Sequence, residues 1–332
     1  MQRENKLAII IASFVLLLSL LTWMSLTGPE AYAQGFPSRP IKIVLPFGPG
    51  GVNNVIWRTL SDRMSKVLGQ PVLIENKPGG GTTLAFTLIA RSKPDGYTTG
   101  TAPVPSVTNT YLAYKVDYEP IKSFTRIGGC WRYNEVLAVK ADSRWKNWNE
   151  FYEYAKKNPN EVKVGFSNPI GSVVGTMKLI ARRNRLEWRE VITTGEAELV
   201  SQLLGDHISA FVGAGVVHTL FKDGRARPIL AITNDKMPDY PEVPTAYELY
   251  GINSLNVAGL IGPAGIPDAI VKKLEAALHE ATQSPEYQKT IEQMGAVVRW
   301  RSSKEFEEDF KMIFTAQKEN LKELGLIREE LK

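Results

Sequence analysis

The chain has 332 residues, 43% hydrophobic and 23% charged, which excludes a disordered polypeptide and calls for two α/β domains or one large one. Its net charge of +5 comes from scattered basic residues, densest at Arg182, Arg183 and Arg185 with no aromatic platform between them. A solvated helix face is therefore expected there and nucleic-acid binding is not. One cysteine, Cys130, excludes an intramolecular disulfide, and within Ile127-Gly128-Gly129-Cys130-Trp131 it reads as a small buried hydrophobe without chemistry.

Arg3 and Lys6 precede an apolar run from Leu7 to Met24, and Ala31-Tyr32-Ala33 offers a small-x-small cleavage site before Gln34. Residues 1–33 are expected to be a signal peptide. The run approaches the roughly 18 residues of a membrane span, so an uncleaved anchor is the alternative. Both place the remainder outside the cytoplasm, in the periplasm. The mature chain stays basic, because Glu4 and Glu30 balance Arg3 and Lys6.

Ile41 to Leu45 reads as a strand ended by Pro46. The Gly/Pro loop that follows leads to a helix from Asn53 or Asn54, striped by Val55, Ile56, Leu60, Met64, Val67 and Leu68 and ended by Gly69. The unit recurs as strand Val72 to Ile74, loop Asn76 to Gly81 and helix Thr82 to Ala90. A strand near Tyr97 to Thr101 leads to a polar loop at Ala102 to Ser106. Alternation resumes with strand Val136 to Val139, helix Trp148 to Lys157, strand Val162 to Phe166 and a helix after Gly171. Strands then fit Val191 to Thr193, Ile208 to Val212 and Pro228 to Ile232. Long helices follow at Pro267 to Thr282 and Ser303 to Leu324. The acidic run Glu305 to Asp309 in the last helix is expected to be solvated capping. The class is α/β, with mostly parallel sheets covered on both faces.

In parallel sheets, ligands sit beyond the carboxyl ends of strands, where glycines let backbone approach closely and helix N-termini donate N–H groups to anions. The polar, glycine-rich loops Phe47 to Asn54, Gly79 to Thr83, Thr101 to Ser106, Ser167 to Ser172, Thr193 to Glu196 and Gly213 to Gly215 occupy those places. A carboxylate or a phosphate suits such loops. Asn53 breaks a dinucleotide fingerprint after Gly48, Gly50 and Gly51, and no Gly-Lys-Ser/Thr of a P-loop occurs, which disfavours nucleotides. The histidines His207, His218 and His279 lack metal-ligand spacing, and no Gly-x-Ser-x-Gly elbow is present. No metal, cofactor or catalytic residue is expected.

These loops, in order, resemble the substrate-binding receptors of tripartite tricarboxylate transporters, the Bug-type periplasmic receptors. The resemblance runs through Phe36-Pro37-Ser38-Arg39-Pro40-Ile41, Pro46-Phe47-Gly48-Pro49-Gly50-Gly51, Leu68-Gly69-Gln70-Pro71-Val72, Glu75-Asn76-Lys77-Pro78-Gly79-Gly80, Pro94-Asp95-Gly96-Tyr97-Thr98, Val243-Pro244-Thr245 and Gly262-Pro263-Ala264-Gly265-Ile266-Pro267. It implies a two-lobed periplasmic-binding-protein-like fold with a hinge, lobe I comprising 35–132 plus 256–332 and lobe II 133–255. It also implies a monomer that closes on a small organic carboxylate and delivers it to membrane permease subunits. On the matching positions, lobe I would supply Phe47, Gly48, Gly51, Asn53, Asn54, Thr82, Thr101 and Ser106. Lobe II would supply Ser167, Gly171, Ser172, Thr193, Thr194 and Glu196. Two departures bear on the ligand: Asn54 stands where the family's first loop carries an acid, and Ile192-Thr193-Thr194-Gly195 replaces Pro-Tyr-Lys-Gly. Alternatives to transport are a sensor module feeding a signalling partner, and an exported α/β hydrolase using Ser167 or Ser172.

Overall fold

The computed structural model describes residues 35–167, 171–193 and 195–331; the expected leader, residues 168–170, Thr194 and the Ser172 side chain lie outside that description. Two mixed sheets organise the chain. The first has the order β11-β4-β10-β3-β1-β2 and the second β7-β6-β8-β5-β9. The first is built from β1 (Ile41–Leu45), β2 (Val72–Asn76), β3 (Thr98–Pro103), β4 (Phe124–Tyr133), β10 (Val257–Pro263) and β11 (Ala296–Arg301). The second contains β5 (Val136–Lys140), β6 (Lys163–Phe166), β7 (Arg189–Ile192), β8 (Ala210–Gly213) and β9 (Ala226–Ala231).

Alternation along each strand explains why both faces are covered. In β1, Ile41, Ile43 and Leu45 enter one core with Ile56, Trp57, Leu60 and Met64 of α1 (Val52–Leu68) and Ile270 and Leu274 of α9 (Asp268–Thr282). Val44 points the other way, among Phe86 of α2 (Thr83–Ala90), Val107 of α3 (Val104–Ala113) and Phe306 and Phe310 of α11 (Ser303–Leu324). The second sheet repeats this. Leu137 and Val139 of β5 meet α4 (Trp148–Lys157) and α5 (Ser172–Asn184), while Val136 and Ala138 meet α6 (Glu196–Leu204) and α7 (Val216–Lys222). The remaining helices are α8 (Ala246–Tyr250) and α10 (Pro285–Gln293).

The α/β class and two-lobed architecture agree with expectation, but the sheets are mixed. β1 is parallel to β2 and β3, and β6 to β7 and β8. β3, β4, β10 and β11 form antiparallel pairs, as do β5, β8 and β9. The antiparallel strands include those that carry the chain between lobes: β4 passes to β5 through Asn134 and Glu135, and β10 brings it back. A strand that arrives from the other lobe needs no covering crossover helix, so strand-helix alternation does not announce it.

Two local expectations change. Asp309 is buried, 2% exposed, with Arg299 Nη2 at 3.3 Å and Arg301 Nε at 3.1 Å; only Glu305 caps, in a box with Ser302. Arg183 lies on an exposed face as expected, yet Nη2 pairs with Glu323 Oε2 at 2.6 Å, tying α5 to the end of α11. Cys130 is fully buried, which pushes its thiol well above the ordinary range.

Candidate functional site

Each parallel strand of the two sheets leads into a helix, and the loops after β1 and β8 touch. A β-carbon added at Gly215, in the β8–α7 loop, would stand 2.5 Å from Val52 Cγ2 at the start of α1. Tyr133 Oη, at the end of β4, donates to Asn53 Oδ1 at 2.8 Å. The second lobe therefore meets the first turn of α1 at Gly215, and Tyr133, in the first sheet, braces that turn from within its own lobe.

That turn is open to an anion. Gly51 is the N-cap of α1 with no side-chain cap. On the other lobe α5 starts after Gly171 and α6 after Gly195, neither with a side-chain cap. Away from the cleft, α4, α8, α10 and α11 are capped by Asn147, Thr245, Ser284 and Ser302, whereas α9 starts after Pro267 without a side-chain cap. A capping side chain satisfies the N–H groups that a bound anion would otherwise take.

The expected site residues among those described sort into four groups. Phe47, Gly48, Gly51 and Asn53 line the β1–α1 loop and its helix start, exposed or half-buried. Ser167, Gly171, the Ser172 backbone and Thr193 lie on the β6–α5 and β7–α6 loops opposite; Thr193 Oγ1 donates to Gly195 O at 3.0 Å and shapes its own turn. Thr82 and Ser106 are half-buried at the β2–α2 and β3–α3 junctions. Thr82 has φ 85° after three positive-φ glycines, Gly79 to Gly81, a strained conformation for a β-branched residue. Its hydroxyl lies 3.4 Å from Thr110 Oγ1.

Asn54, Thr101 and Glu196 have side chains committed within the protein. Asn54 is 3% exposed; its Nδ2 donates to Asn76 Oδ1 at 3.0 Å, and its Oδ1 accepts from Arg58 Nε at 2.8 Å. Asn76 Nδ2 in turn donates to Phe47 O at 2.8 Å, so Asn54 braces the loop instead of lining it. Thr101 is fully buried inside β3 and accepts from Trp57 Nε1 at 2.6 Å. The expected loop at 102–106 is the last turn of strand and first turn of helix, because Ala102, Val104 and Val107 are core residues. Glu196 sends its carboxylate into the β8–α7 loop, accepting from Ala214 N at 3.0 Å, Gly215 N at 3.1 Å and Val216 N at 3.0 Å.

The hinge carries polar residues that motif reasoning did not single out. Glu135 is 8% exposed; burial pushes its carboxyl up to about 8, against a hydrogen bond from Asn256 and with help from the nearby Glu196 charge. Asn256 Nδ2 donates to Glu135 Oε1 at 2.8 Å, and Tyr133 N to Asn256 O at 3.0 Å, joining the two crossing segments. His218 Nε2 donates to Asn134 O at 2.8 Å, and burial holds its ring below the usual range. Asn134 and Glu135 standing together between two hydrophobic runs is the signal available in the sequence. Among the described residues, no group of three His, Cys, Asp or Glu could hold a metal ion, and no helix is long and apolar enough to cross a membrane.

Comparison with known proteins agrees with this fold. The chain is 29% identical over 300 residues to the UPF0065 protein in the gbd 5' region of Cupriavidus necator, covering 90% of this chain and 91% of that one. The periplasmic binding protein BugD superposes with a TM-score of 0.76 at 25% identity, over 89% of this chain and 100% of that one. MatC of Rhodopseudomonas palustris, with bound malate, superposes with a TM-score of 0.74 at 25% identity, over 86% of this chain and 100% of that one. Residues 56–327 match the tripartite tricarboxylate transporter family receptor, and the chain belongs to that family of periplasmic solute-binding receptors.

Proposed function

We propose that the protein binds a small organic carboxylate between its lobes and delivers it to the membrane permease subunits of a tripartite tricarboxylate-type transporter. One observation carries this reading: Gly51 on one lobe and Gly195 on the other start helices without a side-chain cap, and the lobes meet beside the first of these starts, where Val52 lies against Gly215. Backbone amides of Phe47, Gly48 and Gly51 to Asn53 would receive the carboxylate. Ser167, Gly171, Ser172, Thr193 and Thr194 would close over the solute from lobe II. The lobes, 35–132 with 256–332 and 133–255, would move about Asn134-Glu135 and Asn256. Malate bound in MatC supports the organic-acid class. Export by residues 1–33 would bring the receptor to the periplasm as a monomer.

Thermal-shift screening of the mature protein against organic acids tests this. A true ligand at a hundred times its Kd stabilises by about 2.7 kcal/mol, and its effect grows with the logarithm of concentration. A neutral sugar or an amine raising Tm while every organic acid leaves it unchanged would contradict the proposal.

A further inference from the structure

The loop between β8 and α7 has the form of an anion seat, and that seat is filled from within. Glu196 Oε1 accepts from Ala214 N at 3.0 Å, Gly215 N at 3.2 Å and Val217 N at 3.4 Å. Oε2 accepts from Gly215 N at 3.1 Å and Val216 N at 3.0 Å. Four successive N–H groups, 214 to 217, thus converge on one carboxylate, the arrangement of an anion-binding concavity of the backbone. Glycines make the room. A β-carbon at position 213 would stand 2.1 Å from Glu196 Oε1, and one at 215 would stand 3.0 Å from Oε2. Two side chains are thus missing where one carboxylate fits.

The filled seat borders the ligand cleft, since the same Gly215 position lies against Val52 of α1. Glu196 is also the first residue of α6, so its charge offsets the N-terminal dipole of that helix as well as of α7. Facing it, Glu135 on the hinge is a second buried acid, whose carboxyl the Glu196 charge helps to hold protonated. Burial raises the Glu196 carboxyl too, while four backbone amides pull it back towards the ionised form. The other ionisable neighbours are His218 on α7, kept neutral by burial, and Tyr133 on β4.

We infer that Glu196 sets the class of solute: its carboxylate stands in for a ligand carboxylate on lobe II, so the cleft accepts acids bearing a single carboxylate and rejects their dicarboxylate counterparts. The ligand's carboxylate goes to the open turn of α1, and its other end, near Glu196, is neutral or a hydrogen-bond donor. A second carboxylate would meet a like charge where the amides that could neutralise it are already taken. This rests on the carboxylate reading above and narrows it.

The test pairs linear monocarboxylates of three to six carbons with the dicarboxylates of the same length, titrated into the wild type and into Glu196→Ala and Glu196→Gln. Formate serves as a probe of the vacated seat. The wild type should favour the monocarboxylate of the best pair by about tenfold or more, and Glu196→Ala should narrow or reverse that ratio. Formate should raise the Tm of Glu196→Ala in a saturable way and by more than it raises that of the wild type, whose second seat is filled. Glu196→Gln, which keeps the size of the side chain, supplies the same ratio if the alanine variant does not fold. A wild type that prefers dicarboxylates, or variants whose ratio equals that of the wild type, would overturn the inference. Wild type binding no carboxylate of any kind, with neutral solutes binding instead, would overturn the carboxylate reading itself.

Discussion

At Gly51 the backbone has φ −82°, which any residue adopts, and no atom lies within 4 Å of where a side chain would begin. Folding therefore does not require glycine there, whereas close approach of a ligand to the α1 amides does. Gly51→Leu should keep the Tm of the wild type and lose about tenfold or more in affinity, read by titration calorimetry. Thr101 presents the opposite case. Thr101→Val strands the buried Trp57 N–H and should cost about 1–3 kcal/mol in urea unfolding while leaving Kd unchanged. Their place in loops matching the family's pattern made Thr101 and Asn54 look like ligand contacts. A hydroxyl's partner 44 residues away, or an amide's in the next strand, is a property of tertiary packing that local spacing does not encode. Gly48, Gly51 and Asn53 were legible because their position just past a strand and before a helix fixes their surroundings locally.

Helices were the elements best read from sequence, and crossing strands the worst. Trp148 to Lys157 and Ser303 to Leu324 show a 3.6-residue apolar stripe, and the structure has helices with those bounds. β4, β10 and β11 gave no such signal, being antiparallel neighbours that are paired only once both lobes exist. The hinge between β4 and β5 holds Glu135, and its chemistry predicts a pH dependence. The folded carboxyl titrates at about 8 against an ordinary 4.5. Between those values the folded protein keeps a proton that the unfolded chain has released, so stability falls as pH rises from 4.5 towards 8 and is level above. The contribution lost is about 3–5 kcal/mol. Glu135→Gln removes the titration and should flatten urea-unfolding stability over that interval. A variant as pH-dependent as the wild type would mean that another group, not Glu135, governs the slope.

For the whole molecule, two three-layer lobes joined by two short crossings leave relative rotation as the softest motion. Contacts between the lobes include Val52 with Gly215, Lys222 with Glu292 at 3.4 Å, Arg183 with Glu323, and Leu324 at the end of α11 against the core of the second lobe. Solute held between the lobes should favour the closed arrangement, so small-angle scattering should show a smaller radius of gyration with a bound organic acid than without. An unchanged radius on binding would argue for a site within a single lobe. The central claim, that the cleft is built for a small carboxylate, is met most directly by mass spectrometry of the protein purified without refolding. Native spectra should show one small organic acid per chain, lost in Gly51→Leu. A bound neutral sugar, amine or peptide in its place would contradict the account.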